Sequence, residues 1–156
     1  MTELLSGSKL EEVLKESLIH ALYREKVDVS EDTEAYLVLI IRDFARTLPS
    51  NATYIGRLSE AKQSNSISVL INLGNHILVF PGFFPEYFER RGNRMSYYAA
   101  LGSDIFATVY QKTGKAIPFM EISKEFPGIL RVFKAMRMSG QDNSKEYWRR
   151  IEGLIQ

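Results

Sequence analysis

The chain contains no cysteine, so disulfides, thiolate metal sites and cysteine nucleophiles are excluded together, and the absence fits a reducing compartment. Histidine is almost as scarce, with His20 and His76 as the whole supply of imidazole. His20 falls four residues after Glu16 on a helical pattern, where a surface histidine beside a carboxylate is the plain reading. His76 has no second ligand at metal spacing, so neither a metal nor a cofactor is expected. Long apolar runs are missing too. The longest, such as Leu37 to Ile41, fall far short of the roughly 20 residues that cross a bilayer, and no membrane contact is expected. Met1-Thr2-Glu3, followed by Glu11 and Glu12, carries neither the basic-then-apolar secretory pattern nor an Arg-rich transit pattern, so the expected location is the cytoplasm. No phosphate-cradling loop, dinucleotide fingerprint, nucleophile elbow or zinc-spaced His-Glu pair is present, which weakens a catalytic reading without excluding it.

What remains is an ordinary globular composition. The 156 residues are 45% hydrophobic and 25% charged, enough for one substantial core and too few for two comfortable domains, so residues 1–156 are expected to form a single domain. The net charge of +1 is unevenly spread: residues 1–60 carry seven Lys/Arg against eleven Asp/Glu, and the remainder thirteen against eight. An acidic front and a basic back pair most simply within one fold, although a basic surface can also meet an acidic partner.

Helical signals run through most of the chain. Ser8 followed by Glu11 reads as a capping box, and Leu10, Val13, Leu14, Leu18, Ala21 and Leu22 form one stripe, with Glu11 and Lys15 paired on the solvent side. Ile19 and Tyr23 fall off that stripe and become candidate partner-binding residues. Ser30 caps a second helix with Glu31, Asp32 and Glu34 in its first turn. Its body, Ala35 to Ile41 and then Phe44, Ala45 and Leu48, is apolar almost all round and predicts a central position, ending at Pro49. A short helix over Tyr54 to Gln63 follows, despite Gly56. Residues 67–80 fit two patterns. Ile67, Val69, Ile71 and Leu73 alternate as in a strand, and Gly74-Asn75 would turn the chain into a hairpin. At helical spacing, Ile67, Leu70, Ile71, Gly74, Ile77 and Leu78 share a face that stops at Pro81-Gly82. An isolated hairpin is marginal without a sheet to join, so the helix is preferred and an α+β fold with a hairpin at 67–80 is the alternative.

Beyond this segment, Pro85 starts a short helix through Arg91 with Gly92 as its cap, and Ser96 caps a longer helix from Tyr97 to Thr113, closed by Gly114. Ala99, Ala100, Gly102 and Ser103 on that helix permit another backbone to approach closely. Ile117-Pro118 opens a helix to Phe126, Pro127 opens another before Gly140, and Ser144 caps a terminal helix with Tyr147, Trp148, Ile151, Leu154 and Ile155. The expected fold is therefore an all-α, compact single-domain bundle of seven to eight helices, with the helices starting near Glu31 and Tyr97 at its centre.

The region most capable of binding lies between residues 80 and 110, which hold Phe80, Phe83, Phe84, Tyr87, Phe88, Tyr97, Tyr98, Phe106 and Tyr110. Arg90, Arg91 and Arg94 offer forked donors suited to a carboxylate or phosphate, and Tyr97 and Tyr98 open a helix whose free amides favour anions. Arginines that end a helix also stabilise its negative pole with no ligand at all, and tyrosine pairs commonly straddle core and solvent. Asp104 stands alone among apolar and small neighbours. If buried it requires a partner such as Arg90, Arg91 or Arg42, as part of a site or as an internal brace. Arg90, Arg91, Arg94, Tyr97, Tyr98 and Asp104 are the candidate ligand-binding set.

A rival reading is nucleic-acid binding. Two short helices around Pro127-Gly128 loosely suggest a helix-turn-helix, and Arg131, Lys134 and Arg137 recur at threefold spacing on the basic helix at 127–139. That helix begins Pro127-Gly128-Ile129-Leu130, where recognition helices usually present polar residues, and a solvated face opposite the core explains the same charges. Finally, Leu73-Gly74-Asn75, Phe80, Gly82-Phe83-Phe84-Pro85-Glu86, Arg90-Arg91, Tyr97-Tyr98 and Leu101-Gly102 together resemble an uncharacterised family of bacterial cytosolic helical proteins, over some sixty residues. The resemblance implies a bacterial origin and a helical fold but no chemistry, and Asn75 replaces the family's aspartate. The function expected is a cytoplasmic binding or regulatory module acting through protein or small-anion contacts and not through catalysis. Its partner is an unidentified protein or a second copy of itself. The alternatives are nucleic-acid binding and an enzyme with a pocket near Arg90, Tyr97 and Asp104.

Overall fold

A computed structural model describes residues 7–44, 66–89 and 94–138. All regular structure among them is helical, and no strand occurs among the described residues. The elements are α1 (Gly7–Glu25), α2 (Glu31–Phe44), α3 (Ile67–Phe83), α4 (Pro85–Glu89), α5 (Met95–Lys112), α6 (Ile117–Lys124) and α7 (Phe126–Met138).

The leucine stripe of α1 is its buried side: Leu10, Leu14, Leu18, Ala21 and Leu22 all join the core. The helix already includes Gly7, so Ser8 sits in the first turn and is not the cap. At its other end Lys26 adopts a left-handed φ of 59°, and Val27 N–H returns to Leu22 O at 3.0 Å, which turns Val27 into the core. Glu11 does not spend itself on Lys15; it forms an ion pair with Arg42 of α2.

Ser30 caps α2 as its sequence implies, accepting from Thr33 N–H at 3.3 Å. The helix is one-sided, however. Leu37, Val38, Ile40, Ile41 and Phe44 are buried, while Ala35 is exposed and Leu39 is 42% exposed. The innermost position belongs instead to α3, which packs against α2, α4, α5 and α7.

Residues 67–83 form a helix and not a hairpin. Ser66 caps it, and burial follows the helical period: Leu70, Leu73, Gly74, Ile77 and Leu78 are buried, whereas Ile67 and Val69 are exposed. A strand would have placed 67, 69, 71 and 73 on one face. The expected stop at Pro81-Gly82 comes later, because Pro81 lies in the last turn, where its missing N–H costs one bond, and Phe84 N–H closes the end on Phe80 O at 2.8 Å.

α5 lies across α3 and α7 where glycine allows it. A Cβ on Gly74 would stand 2.8 Å from the Phe106 ring, and one on Gly102 would stand 2.1 Å from Cζ of Phe126. The close approach expected at Gly102 is thus filled by an aromatic ring from α7. Ser103 extends the same contact to α6: its Oγ donates to Ser123 O at 2.7 Å, and Ser123 Oγ donates back to Ser103 O at 2.8 Å. The cap of α5 is Arg94, with Ser96 inside the first turn. Thr113 and Gly114, the latter at φ 73°, close the far end. Phe80, Phe83, Phe106, Phe126 and Phe133 are fully buried, with Phe83 and Phe133 stacked at 4.6 Å. The helix expected over Tyr54 to Gln63, the terminal helix after Ser144, the Gly92 cap, and Arg90 and Arg91 lie outside the described residues.

Candidate functional site

Of the six residues expected to bind a ligand, the described ones are Arg94, Tyr97, Tyr98 and Asp104. Arg94 is exposed at the cap of α5, with no side-chain capping bond. Tyr98, one turn on, is buried with its ring edge-on to Phe88 at 5.7 Å, and Tyr97 packs half-buried against Tyr98 at 5.3 Å. Asp104 is exposed, and of its candidate partners Arg90, Arg91 and Arg42, the described one, Arg42, pairs with Glu11 and Asp43. The Tyr97 and Tyr98 rings pack at a core boundary, as amphipathic aromatic side chains do.

A cleft opens beside them. It holds about 260 Å³ between the α3–α4 corner, the first turns of α5, and α7. Gly82, Pro85, Ala99 and Leu130 make an apolar lining, while Arg131, Lys134, Glu89 and Ser96 bring polar groups to it. The helical spacing of Pro127, Leu130, Arg131 and Lys134 is what turns one face of α7 toward this space. Arg131 is held only loosely, with Nε 3.7 Å from Glu25 Oε1 and its side chain 59% exposed. Lys134, Glu89 and Ser96 make no hydrogen bond or ion pair among the described residues.

Arg137, one turn beyond Lys134, behaves differently. Its Nη1 donates to Phe83 O at 2.9 Å and to Glu86, and its guanidinium lies 4.7 Å from the centre of the Phe84 ring. It thereby caps the negative end of α3 and pins α4 to α7, which fixes the wall of the cleft carrying Gly82 and Pro85. Burial pushes the Glu86 carboxyl up, but the Arg137 hydrogen bond and the nearby Lys134 charge hold it below the ordinary value. The evenly spaced basic residues of α7 thus have three different surroundings, and the last is an internal tie.

A denser polar cluster lies elsewhere among the described residues. Glu121 of α6 accepts from Ser30 N–H at 3.1 and 3.2 Å, from Ser30 Oγ at 2.6 Å, and from the Thr33 hydroxyl. Thr33 is 0% exposed. Burial raises the Glu121 carboxyl, yet the bonds from Ser30 and Thr33 outweigh it and hold the group below its ordinary value. A carboxylate supplied by a distant helix therefore caps α2, joining the side chain of Ser30 in that task. Nearby, Tyr36 donates to Asn75 Oδ1 at 2.7 Å, and burial pushes its phenol up to about 12. Asn75 is accordingly an internal acceptor.

Ile19 and Tyr23 do point outward, at 43% and 88% exposure. Among the described residues no helix is long and apolar enough to cross a membrane, and no three His, Asp or Glu side chains gather as a metal site. Sequence reasoning missed Glu121 and the pairing of Arg131 and Lys134 with the start of α5. The advance signals for the cleft were the proximity in sequence of Pro85 and Ser96 to the arginine cluster and the basic series that includes Arg131 and Lys134. No protein-family model, curated protein or solved structure matches the chain.

Proposed function

We propose that this chain is a cytoplasmic binding or regulatory module, one globular domain of seven or eight helices, that holds a small anion in the cleft between α4, α5 and α7 and does no chemistry on it. The observation that carries the reading is that Arg131 and Lys134 line the cleft together with apolar residues, beside the first turn of an 18-residue helix. Guanidinium and ammonium groups in a concave apolar setting attract an anion more strongly than the same groups on an open face, because the local dielectric is lower. The free amides at the start of α5 add to that field. Chemical-shift mapping tests the reading: anions titrated into the protein should move the amides of Ser96, Ala99 and Leu130 together, and shifts confined to other surfaces would overturn it.

A second reading, a protein partner or a second copy of the chain on α1, is favoured by the exposure of Ile19 and Tyr23 on an otherwise polar face. Tyr23→Ala should then weaken association measured by sedimentation while leaving the fold intact. Nucleic-acid binding loses support because Arg137 is only 18% exposed and occupied by Glu86 and Phe83, which leaves two of the three basic positions outward.

A further inference from the structure

The charge, size and polarity of the cleft's walls bear on which anion would fit there. Among the described residues Arg131, Lys134 and Glu89 line the cleft, and Glu25, paired with Arg131, brings a second carboxylate beside it. Both carboxylates repel an anion, and they oppose a phosphate dianion more strongly than a singly charged head. The space of about 260 Å³ exceeds the roughly 150 Å³ cavity that holds a benzene ring, so it admits one ring and several further atoms. Gly82, Pro85, Ala99 and Leu130 offer no hydrogen bonds from their side chains, so the part of a ligand lying on them must be apolar.

Arg131 is the cation best placed to take the head. Its one ion pair, to Glu25, is long and runs through Nε, and no other hydrogen bond or ion pair holds it among the described residues. Lys134 already lies in the field of Glu86. A planar guanidinium matches a carboxylate through two parallel bonds, which a single contact at 3.7 Å cannot rival.

Resting on the assignment of the cleft as an anion site, we infer that its ligand is an amphipathic organic monocarboxylate, and that Arg131 captures the carboxylate by exchanging Glu25 for it. The exchange makes Glu25 a competitor of the ligand, a consequence that a purely structural role for Arg131 does not share.

Calorimetric titration of the full chain with 2-naphthoate, 2-naphthalenemethanol and inorganic phosphate tests this. Naphthoate should bind, and the uncharged alcohol should bind about tenfold more weakly because it lacks the charge-assisted bonds. Phosphate, with no apolar body, should be weaker still. Arg131→Gln should weaken naphthoate about tenfold, and Glu25→Gln should tighten it about two- to fivefold by releasing the guanidinium. Both variants alter exposed or partly exposed side chains, and an unchanged helical circular dichroism spectrum confirms their folding. If phosphate binds as tightly as naphthoate and both are lost in Arg131→Gln, the anion site stands and the monocarboxylate inference falls. An alcohol that binds as well as naphthoate, or the failure of all three probes, overturns both. Naphthoate affinity that is unchanged or weaker in Glu25→Gln overturns the exchange.

Discussion

Two polar regions of this molecule use the same kinds of group to opposite ends. Where α6 meets α2, Glu121 receives donors from Ser30 and Thr33, and the buried Thr33 hydroxyl faces a carboxylate. In the cleft between α4, α5 and α7, Lys134, Glu89 and Ser96 reach the lining with no hydrogen-bonded partner among the described residues. The first cluster is closed and its energy is spent on holding two helices together. The second is open, and whatever it gains must come from solvent or from a ligand. Perturbed carboxylates are often taken as signs of function; here the lowered Glu121 marks a structural clasp, and the groups proposed to bind are those without a hydrogen-bonded partner among the described residues.

The largest expected effect comes from breaking both regions at once. α5 presents Ser96 and Ala99 to the cleft and, through Ser103 and Ser123, seats α6, which carries Glu121. Gly102→Ala would drive a methyl group into the Phe126 ring, whose nearest atom stands 2.1 Å from the ideal Cβ position. Phe126 is fully buried and cannot move freely, so overpacking should cost about 3 kcal/mol, read from the urea midpoint. A loss below about 0.5 kcal/mol, the level of an ordinary surface change, would show that α5 and α7 are seated differently.

A narrower break separates the regions. Glu121→Ala removes the shared acceptor of Ser30 N–H, Ser30 Oγ and Thr33 Oγ1, leaving Thr33 only Ser30 Oγ at 3.2 Å. Charge-assisted bonds of this kind place the loss at about 2 kcal/mol, with anion binding in the cleft unaltered. The clasp should also respond to acid. Because the folded protein holds Glu121 below its unfolded value, its contribution is present above the unfolded pKa of about 4.3 and disappears as pH falls through the folded one. Glu86 is lowered as well, by Arg137 and Lys134, so the wild-type profile contains both groups. Comparing wild type with Glu121→Ala between pH 5 and 2 isolates the clasp, and the variant should lose less stability over that interval. Parallel profiles would mean that Glu121 does not act through its charge.

How much of this was legible beforehand follows from sequence distance. Local chemistry could be read: Ser30 as a cap, Pro85 opening α4, Gly114 beyond α5, and the Leu10, Leu14 and Leu18 stripe that fell in the core. The hairpin and helix readings of 67–80 both place Ile67 and Ile71 on one face and diverge at Val69, Leu70 and Gly74, and periodicity alone could not decide between them. Glu121 lies 91 residues from Ser30, so no spacing rule reaches it, and it read merely as one more carboxylate on a short helix. The cleft draws on residues near 82, 89, 96 and 131, four separate stretches whose meeting depends on how α5 crosses α7. Arg131, Lys134 and Arg137 were correctly seen as one basic series. Their spacing could not reveal that Arg137 turns inward to Phe83 O while Arg131 and Lys134 line a cavity.

The smallest expected effect is also the sharpest test of the contrast. Lys134→Gln removes a cation that is exposed and makes no ion pair among the described residues, so urea stability should stay within about 0.5 kcal/mol of wild type. Lys134 helps to lower Glu86, and losing it should leave that carboxyl slightly easier to protonate, an effect confined to low pH. At neutral pH the fold should not register the change, while anion affinity in the cleft falls. A side chain whose removal leaves folding untouched and weakens binding belongs to the open region. If Lys134→Gln instead destabilised the protein as much as Glu121→Ala, the cleft would be a second structural clasp, held by contacts of the same kind as the first.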